Sequence, residues 1–101
     1  MPAGAPHVRS AELQREILMR EAARSEHRRE SPILLREPDG LVVEGVLDLA
    51  FRTSEGWMVV DFKTDQELTD AKAAYEAQVR LYARAVSEAT GLPSEGALLL
   101  V

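Results

Sequence analysis

Glu44-Gly45-Val46-Leu47-Asp48-Leu49-Ala50-Phe51 and, after a short polar break, Trp57-Met58-Val59-Val60-Asp61-Phe62-Lys63-Thr64-Asp65 decide both the fold and the chemistry of this chain. Each stretch is apolar enough to be a strand, and each carries a carboxylate where an aliphatic side chain would be cheaper. A buried charge is costly unless it is paired or bound to a metal. Side chains alternate between the two faces of a strand. Asp61 and Lys63 are therefore expected on one face with Trp57 and Val59, and Asp48 on one face with Glu44, Val46 and Ala50.

Thr53-Ser54-Glu55-Gly56 reads as a hairpin turn, with Gly56 available for a positive φ. A two-residue loop at Ser54-Glu55 pairs Thr53 with Gly56 and brings Asp48 directly opposite Asp61. A four-residue loop gives the same register, whereas an odd-length loop moves the two acids to opposite faces. In the even register the two carboxylates face each other at roughly 5 Å between Cβ atoms. Their repulsion turns into binding once a divalent cation sits between them. Mg²⁺ suits such a place, because it takes one or two carboxylates, keeps waters and uses phosphate oxygens for the rest. Lys63 then stands beside the cation on the same face, where its ammonium can orient an attacking water and offset charge building on a phosphate. The plainer alternative is a solvated strand face carrying an ordinary Asp–Lys pair.

Glu44-Gly-Val-Leu-Asp-Leu49, Val59-Val-Asp-Phe-Lys-Thr-Asp65 and Gln78-Val-Arg-Leu-Tyr82-Ala resemble the RecB-like branch of the PD-(D/E)XK nuclease superfamily. The resemblance is strongest to the C-terminal nuclease domain of AddA-type helicase–nucleases. Arg29-Glu30-Ser31-Pro32-Ile33 is similar to the strand that opens the core in that group, so the resemblance covers roughly residues 29 to 101. It implies a restriction-endonuclease-like α/β fold, a mixed sheet flanked by helices, and the pattern along the chain gives the order α-β-β-β-α-β. The resemblance also implies roles: Asp48 and Asp61 as metal ligands, the backbone carbonyl of Phe62 as a third, Lys63 as the catalytic lysine, and Gln78 and Tyr82 as a motif that contacts DNA and braces the site. The implied cofactor is Mg²⁺, with Mn²⁺ able to substitute. The implied substrate is DNA, single-stranded where a helicase motor in cis or in trans feeds it. The metal-binding histidine that the family carries on an upstream helix has no convincing counterpart in His7 or His27.

Composition agrees with one small domain. The 101 residues are 46% hydrophobic but only 5% aromatic, so the core has to be built from Val, Leu, Ala and Ile. The absence of cysteine excludes disulfides, a thiolate zinc site and a cysteine-ligated iron–sulfur cluster, and fits a cytoplasmic location. No apolar run approaches the ~18 residues that a membrane-spanning helix needs, and the start lacks the apolar segment of a signal peptide. A net charge of −5 argues against a strongly phosphate-binding surface. Carboxylates that hold a metal count against that total only while the site is empty. Arg9, Arg15, Arg20, Arg24, Arg28 and Arg29 crowd the first third, where an exposed helix face with Glu12, Glu16, Glu21 and Glu26 accounts for them.

Residues 1–9 read as a flexible tail, and 10–101 as the nuclease-like domain. Ser10 is placed to cap a helix running to about Arg28, residues 30–37 form a strand, and Pro38-Asp39-Gly40 turns. Strands follow over 41–52 and 57–63. Thr69 or Asp70 caps an Ala-rich helix over about 71–89, and Gly91 and Pro93 end it. Ala97-Leu-Leu-Leu-Val101 reads as a strand interior to the sheet. The chain stops inside that apolar run, as expected of a segment of a longer protein. Tyr75, Val79, Tyr82 and Val86 recur at helical spacing, so Tyr82 is as readily core as a DNA contact. Glu30 could add a ligand from the first strand but reads more readily as a strand-end surface charge, and Glu44 reads as peripheral. Two functions follow: a metal-dependent DNA nuclease, or a nuclease fold that binds DNA or a partner subunit without cutting.

Overall fold

The computed structural model describes Val8–Arg9 and residues 15–100, with side chains described from Arg20 onward. The elements are β1 (Val8–Arg9), α1 (Arg15–Arg24), β2 (His27–Arg36), β3 (Val42–Arg52), β4 (Trp57–Lys63), α2 (Asp65–Thr90) and β5 (Ser94–Leu100). The strands form one mixed sheet in the order β1-β5-β4-β3-β2. Pairing is parallel for β1 with β5 and for β4 with β5, and antiparallel for β2 with β3 and for β3 with β4.

The Met58-Val59-Val60 run of β4 is buried on both faces because helices cover both. On one side Ala22 of α1 packs over Leu49, Phe51, Met58, Val60, Ala97 and Leu99. On the other, Val79, Tyr82 and Ala83 of α2 pack over Leu47, Ala50, Val59 and Leu98. β5 lies between β1 and β4, so the apolar 97–100 run is interior to the sheet as its composition requires. Among the described residues no helix is long and apolar enough to cross a membrane.

Four expectations need correction. Val8 and Arg9, read as the end of a flexible tail, pair in parallel with Gly96 and Ala97. The first helix ends at Arg24 instead of Arg28, while its expected cap at Ser10 lies outside the described residues. His27, Arg28 and Arg29 belong to β2, opposite Phe51, Ala50 and Leu49. Nothing in the polar run His27-Arg-Arg-Glu30 announces a strand; the cross-strand partners impose it. The second helix starts at Asp65, not near residue 71, and its backbone is non-helical at Ala71 (φ −148°, ψ 35°). It is two helical pieces, and the expected helix corresponds to the second. The C-terminal end is as expected, with Gly91 in the left-handed region at φ 74° and its N–H on the Ser87 carbonyl.

The hairpin between β3 and β4 has the two-residue loop Ser54-Glu55. The Thr53 N–H donates to the Gly56 carbonyl at 2.8 Å, and Thr53 Oγ1 accepts from Glu55 and Gly56. Gly56 is not needed for a positive φ. It is needed for space, since a Cβ there would lie 1.9 Å from the Pro93 carbonyl oxygen that accepts the Trp57 N–H.

Candidate metal-binding and catalytic site

The β3–β4 register pairs Leu49 with Val60 and Ala50 with Val59, so continuing it by one residue sets Asp48 against Asp61. The ladder itself stops there. Instead of a backbone carbonyl, the Asp48 carboxylate takes the next β4 donor, with Phe62 N–H donating to Oδ2 at 2.9 Å. One acid is thereby held by the strand that carries the other.

Asp48 also marks a change of phase in β3. Leu49 and Phe51 face α1, whereas Leu47 faces α2 and Gly45 meets Tyr82. Strict alternation would put all four on one side. Opposite Asp48, β2 carries Glu30 at φ 47°, a left-handed conformation that a glutamate adopts at a cost. The register on either side of Glu30 is the same, so both strands swap faces without inserting a residue. Of the face expected for Asp48, Ala50 remains, while Glu44 and Val46 are exposed. The small residue of Gly45-x-x-Asp48 has its own reason. A Cβ on Gly45 would stand 2.6 Å from the Tyr82 hydroxyl and 2.8 Å from its ring.

Asp61 is the one buried charged residue among those described, at 5% exposure. Burial, reinforced by the Asp48 carboxylate, outweighs Lys63 and pushes its pKa from 3.8 up to about 6. Lys63 Nζ stands 3.1 Å from Asp61 Oδ2, and both side chains are largely covered. That oxygen nevertheless makes no aligned hydrogen bond. Burial works to lower the lysine pKa, but the contact with Asp61, helped by Glu67 and Asp48, raises it, so the ammonium stays charged.

α2 begins directly after Lys63. Thr64 is its N-cap: Thr64 Oγ1 accepts the Glu67 N–H at 3.2 Å, and Glu67 Oε1 accepts the Thr64 N–H at 3.0 Å. That cap holds the Glu67 carboxyl below its usual pKa. Further along α2, the Tyr75 ring lies over Lys63 Nζ at 4.4 Å from its centroid. Sequence reasoning took Tyr75 only as part of the apolar stripe and missed Glu67, although Thr64-x-x-Glu67 is a capping-box signature.

Of the residues expected to contact DNA, Gln78 is exposed. Tyr82 is in the core, 8% exposed, with its hydroxyl end against Gly45. His27, which the sequence placed near a helix end, is an exposed strand residue, and His7 lies outside the described residues.

A divalent cation fits what is present. Two carboxylates converge, and the buried one, Asp61, has its Oδ2 met by the Lys63 ammonium without an aligned hydrogen bond. Among the described residues no group of three or more His, Cys, Asp or Glu side chains is gathered. Two protein carboxylates suit a hard cation that keeps waters better than a metal that needs an all-protein cage.

Known proteins resemble this chain in sequence. Over 53 residues, 50% of its length, the chain is 34% identical to the large helicase/nuclease polypeptide of Clostridium botulinum that is named as the A subunit of an ATP-dependent helicase/nuclease. It is 42% identical over 55 residues, 50% of the chain, to the polypeptide of the same name from Carboxydothermus hydrogenoformans. With that of Heliobacterium modesticaldum it shares 30% identity over 74 residues, 64% of the chain. The aligned stretches span only 4% to 5% of those relatives' own length. The profile of the PD-(D/E)XK nuclease superfamily matches residues 3–101. With a mixed sheet flanked by helices in the restriction-endonuclease-like manner, and a match across nearly its whole length, this chain belongs to the PD-(D/E)XK nuclease superfamily.

Proposed function

We propose that the chain is a Mg²⁺-dependent deoxyribonuclease module that hydrolyses phosphodiester bonds. The observation that carries this reading is the buried Asp61 carboxylate in contact with the Lys63 ammonium, with Asp48 converging on it. Asp48, Asp61 and the Phe62 carbonyl would hold the cation, which supplies Lewis-acid polarisation of the scissile phosphate and a more acidic water. Lys63 would donate hydrogen bonds to the attacking water and to the phosphate oxygen that gains charge. In-line attack would leave a 3′-hydroxyl and a 5′-phosphate. Gln78 would contact DNA. Tyr82, being buried, would brace the site through Gly45 rather than reach the strand itself.

The names of the relatives support a setting beside a helicase motor, where the module would cut single strands during DNA end resection and recombinational repair in the cytoplasm. The test is nicking of single-stranded DNA with Mg²⁺, and with Mn²⁺ in its place, for the wild type, Asp61→Ala and Lys63→Ala. Equal rates for all three would remove the reading.

A second reading is a nuclease fold that binds DNA or a partner subunit without cutting. It is favoured by the two acids having no third carboxylate or imidazole gathered with them among the described residues. Titration calorimetry with Mg²⁺ or Mn²⁺ separates the two, since cation binding without cleavage supports the second.

A further inference from the structure

Lys63 ends a strand, and a lysine there would ordinarily extend into water on four flexible bonds. Here its side chain is only 15% exposed, between the Asp61 carboxylate at 3.1 Å and the face of Tyr75 at 4.4 Å. The two contacts differ in kind. Asp61 attracts the ammonium by charge, and a cation shared by Asp48 and Asp61 would compensate that charge. The ring holds the ammonium through its quadrupole, which no cation on the carboxylates removes. Tyr75 reaches this place because α2 breaks at Ala71. The first piece leaves β4 under its own cap, and the second, starting one residue later, turns the Tyr75-Val79-Tyr82 stripe onto the sheet. The ring is itself fixed, packed against the α2-side core.

We propose that Tyr75 is a positioning residue for Lys63, its ring face holding the ammonium at the site while the acids are engaged by a cation. This rests on the reading of Lys63 as the amine that orients the attacking water. The hydroxyl plays no part, so Tyr75→Phe preserves the function and Tyr75→Leu, which keeps apolar bulk but has no ring face, removes it.

The experiment uses the full 101-residue chain. Nicking of single-stranded DNA with Mg²⁺ is followed for wild type, Tyr75→Phe and Tyr75→Leu. The Lys63 ε-methylene resonances are recorded for the same proteins with and without Mg²⁺. Wild type and Tyr75→Phe should show an upfield ring-current displacement of those resonances that survives Mg²⁺, and similar kcat. Tyr75→Leu should lose the displacement and about tenfold in kcat at unchanged KM. A Tyr75→Leu enzyme with wild-type kcat would overturn the proposal. So would a wild-type Lys63 resonating like a solvated lysine, or a Tyr75→Phe loss equal to that of Tyr75→Leu. If wild type cuts no faster than Asp61→Ala, the hydrolytic reading has failed, and the resonances alone then decide whether the ring holds the ammonium.

Discussion

The Asp48 carboxylate accepts the Phe62 backbone N–H at 2.9 Å, one residue beyond the other acid, Asp61. The bond gives Asp48 a structural role beside its proposed one as a metal ligand. Asp48→Ala leaves an N–H at the end of the β3–β4 ladder without its partner, at about 1–3 kcal/mol. Asp48→Asn keeps an acceptor oxygen and should cost less than half of that, while abolishing Mg²⁺ binding as fully as alanine does. Urea denaturation and calorimetry of the two variants check both halves.

Asp61 sets a pH dependence with a definite sign. Its pKa is about 6 in the fold against 3.8 for the unperturbed group, so between those values the folded protein keeps a proton that the unfolded chain releases. Stability without metal should therefore fall as pH rises from about 4 to 6 and level off above, by on the order of 2–3 kcal/mol. Asp61→Asn should flatten that slope. Mg²⁺, which binds the ionised form, should restore stability above pH 6. Denaturation midpoints across this range, with and without Mg²⁺, measure all three.

Gly45 and Tyr82 should behave as a coupled pair. Gly45→Ala puts a methyl 2.6 Å from the Tyr82 hydroxyl and under 3 Å from its ring, in a place too well buried for the ring to swing aside. Overpacking of that kind costs about 1–3 kcal/mol. Tyr82→Leu is destabilising alone, yet in combination with Gly45→Ala it should cost less than the sum. A double-mutant cycle in urea reads the coupling.

Thr64 closes the reciprocal cap that starts α2 directly after the catalytic lysine candidate. Thr64→Ala should lower stability by about 1 kcal/mol. Thr64→Ser, which keeps the side-chain acceptor, should lose little. Thermal melts of the pair distinguish the lost cap from a lost methyl group.

The sheet was legible wherever apolar alternation or turn chemistry was present. Ser54-Glu55 as a two-residue loop, the opposed Asp48 and Asp61, and Gly91 at the helix end all follow from local signals that the structure repeats. What was not legible depends on contacts distant in sequence. His27 to Glu30 becomes strand because β3 is there to pair with it. The face swap at Asp48 shows in no periodicity, because strict alternation is what a pattern reading assumes. Gly45 and Gly56 are small because Tyr82 and Pro93, both remote in sequence, come close. Thr64-x-x-Glu67 was visible but lost to Thr69 and Asp70, which lie just before the break at Ala71.

β4 pairs with β5 all the way from Trp57 to Lys63, and with β3 from Trp57 to Val60, beyond which Asp48 takes over at Phe62. Pairing with β5 through Lys63, and the Asp48 bond at Phe62 on the other edge, keep this end of β4 from fraying by itself, so Asp61 and Lys63 are not drawn apart by local opening. Amide protons of β4 should be among the slowest in the chain to exchange with deuterium. Loss of the acid–amine pair and loss of the whole fold then become one thermal event, with no warmed but still folded state in which only the chemistry has gone.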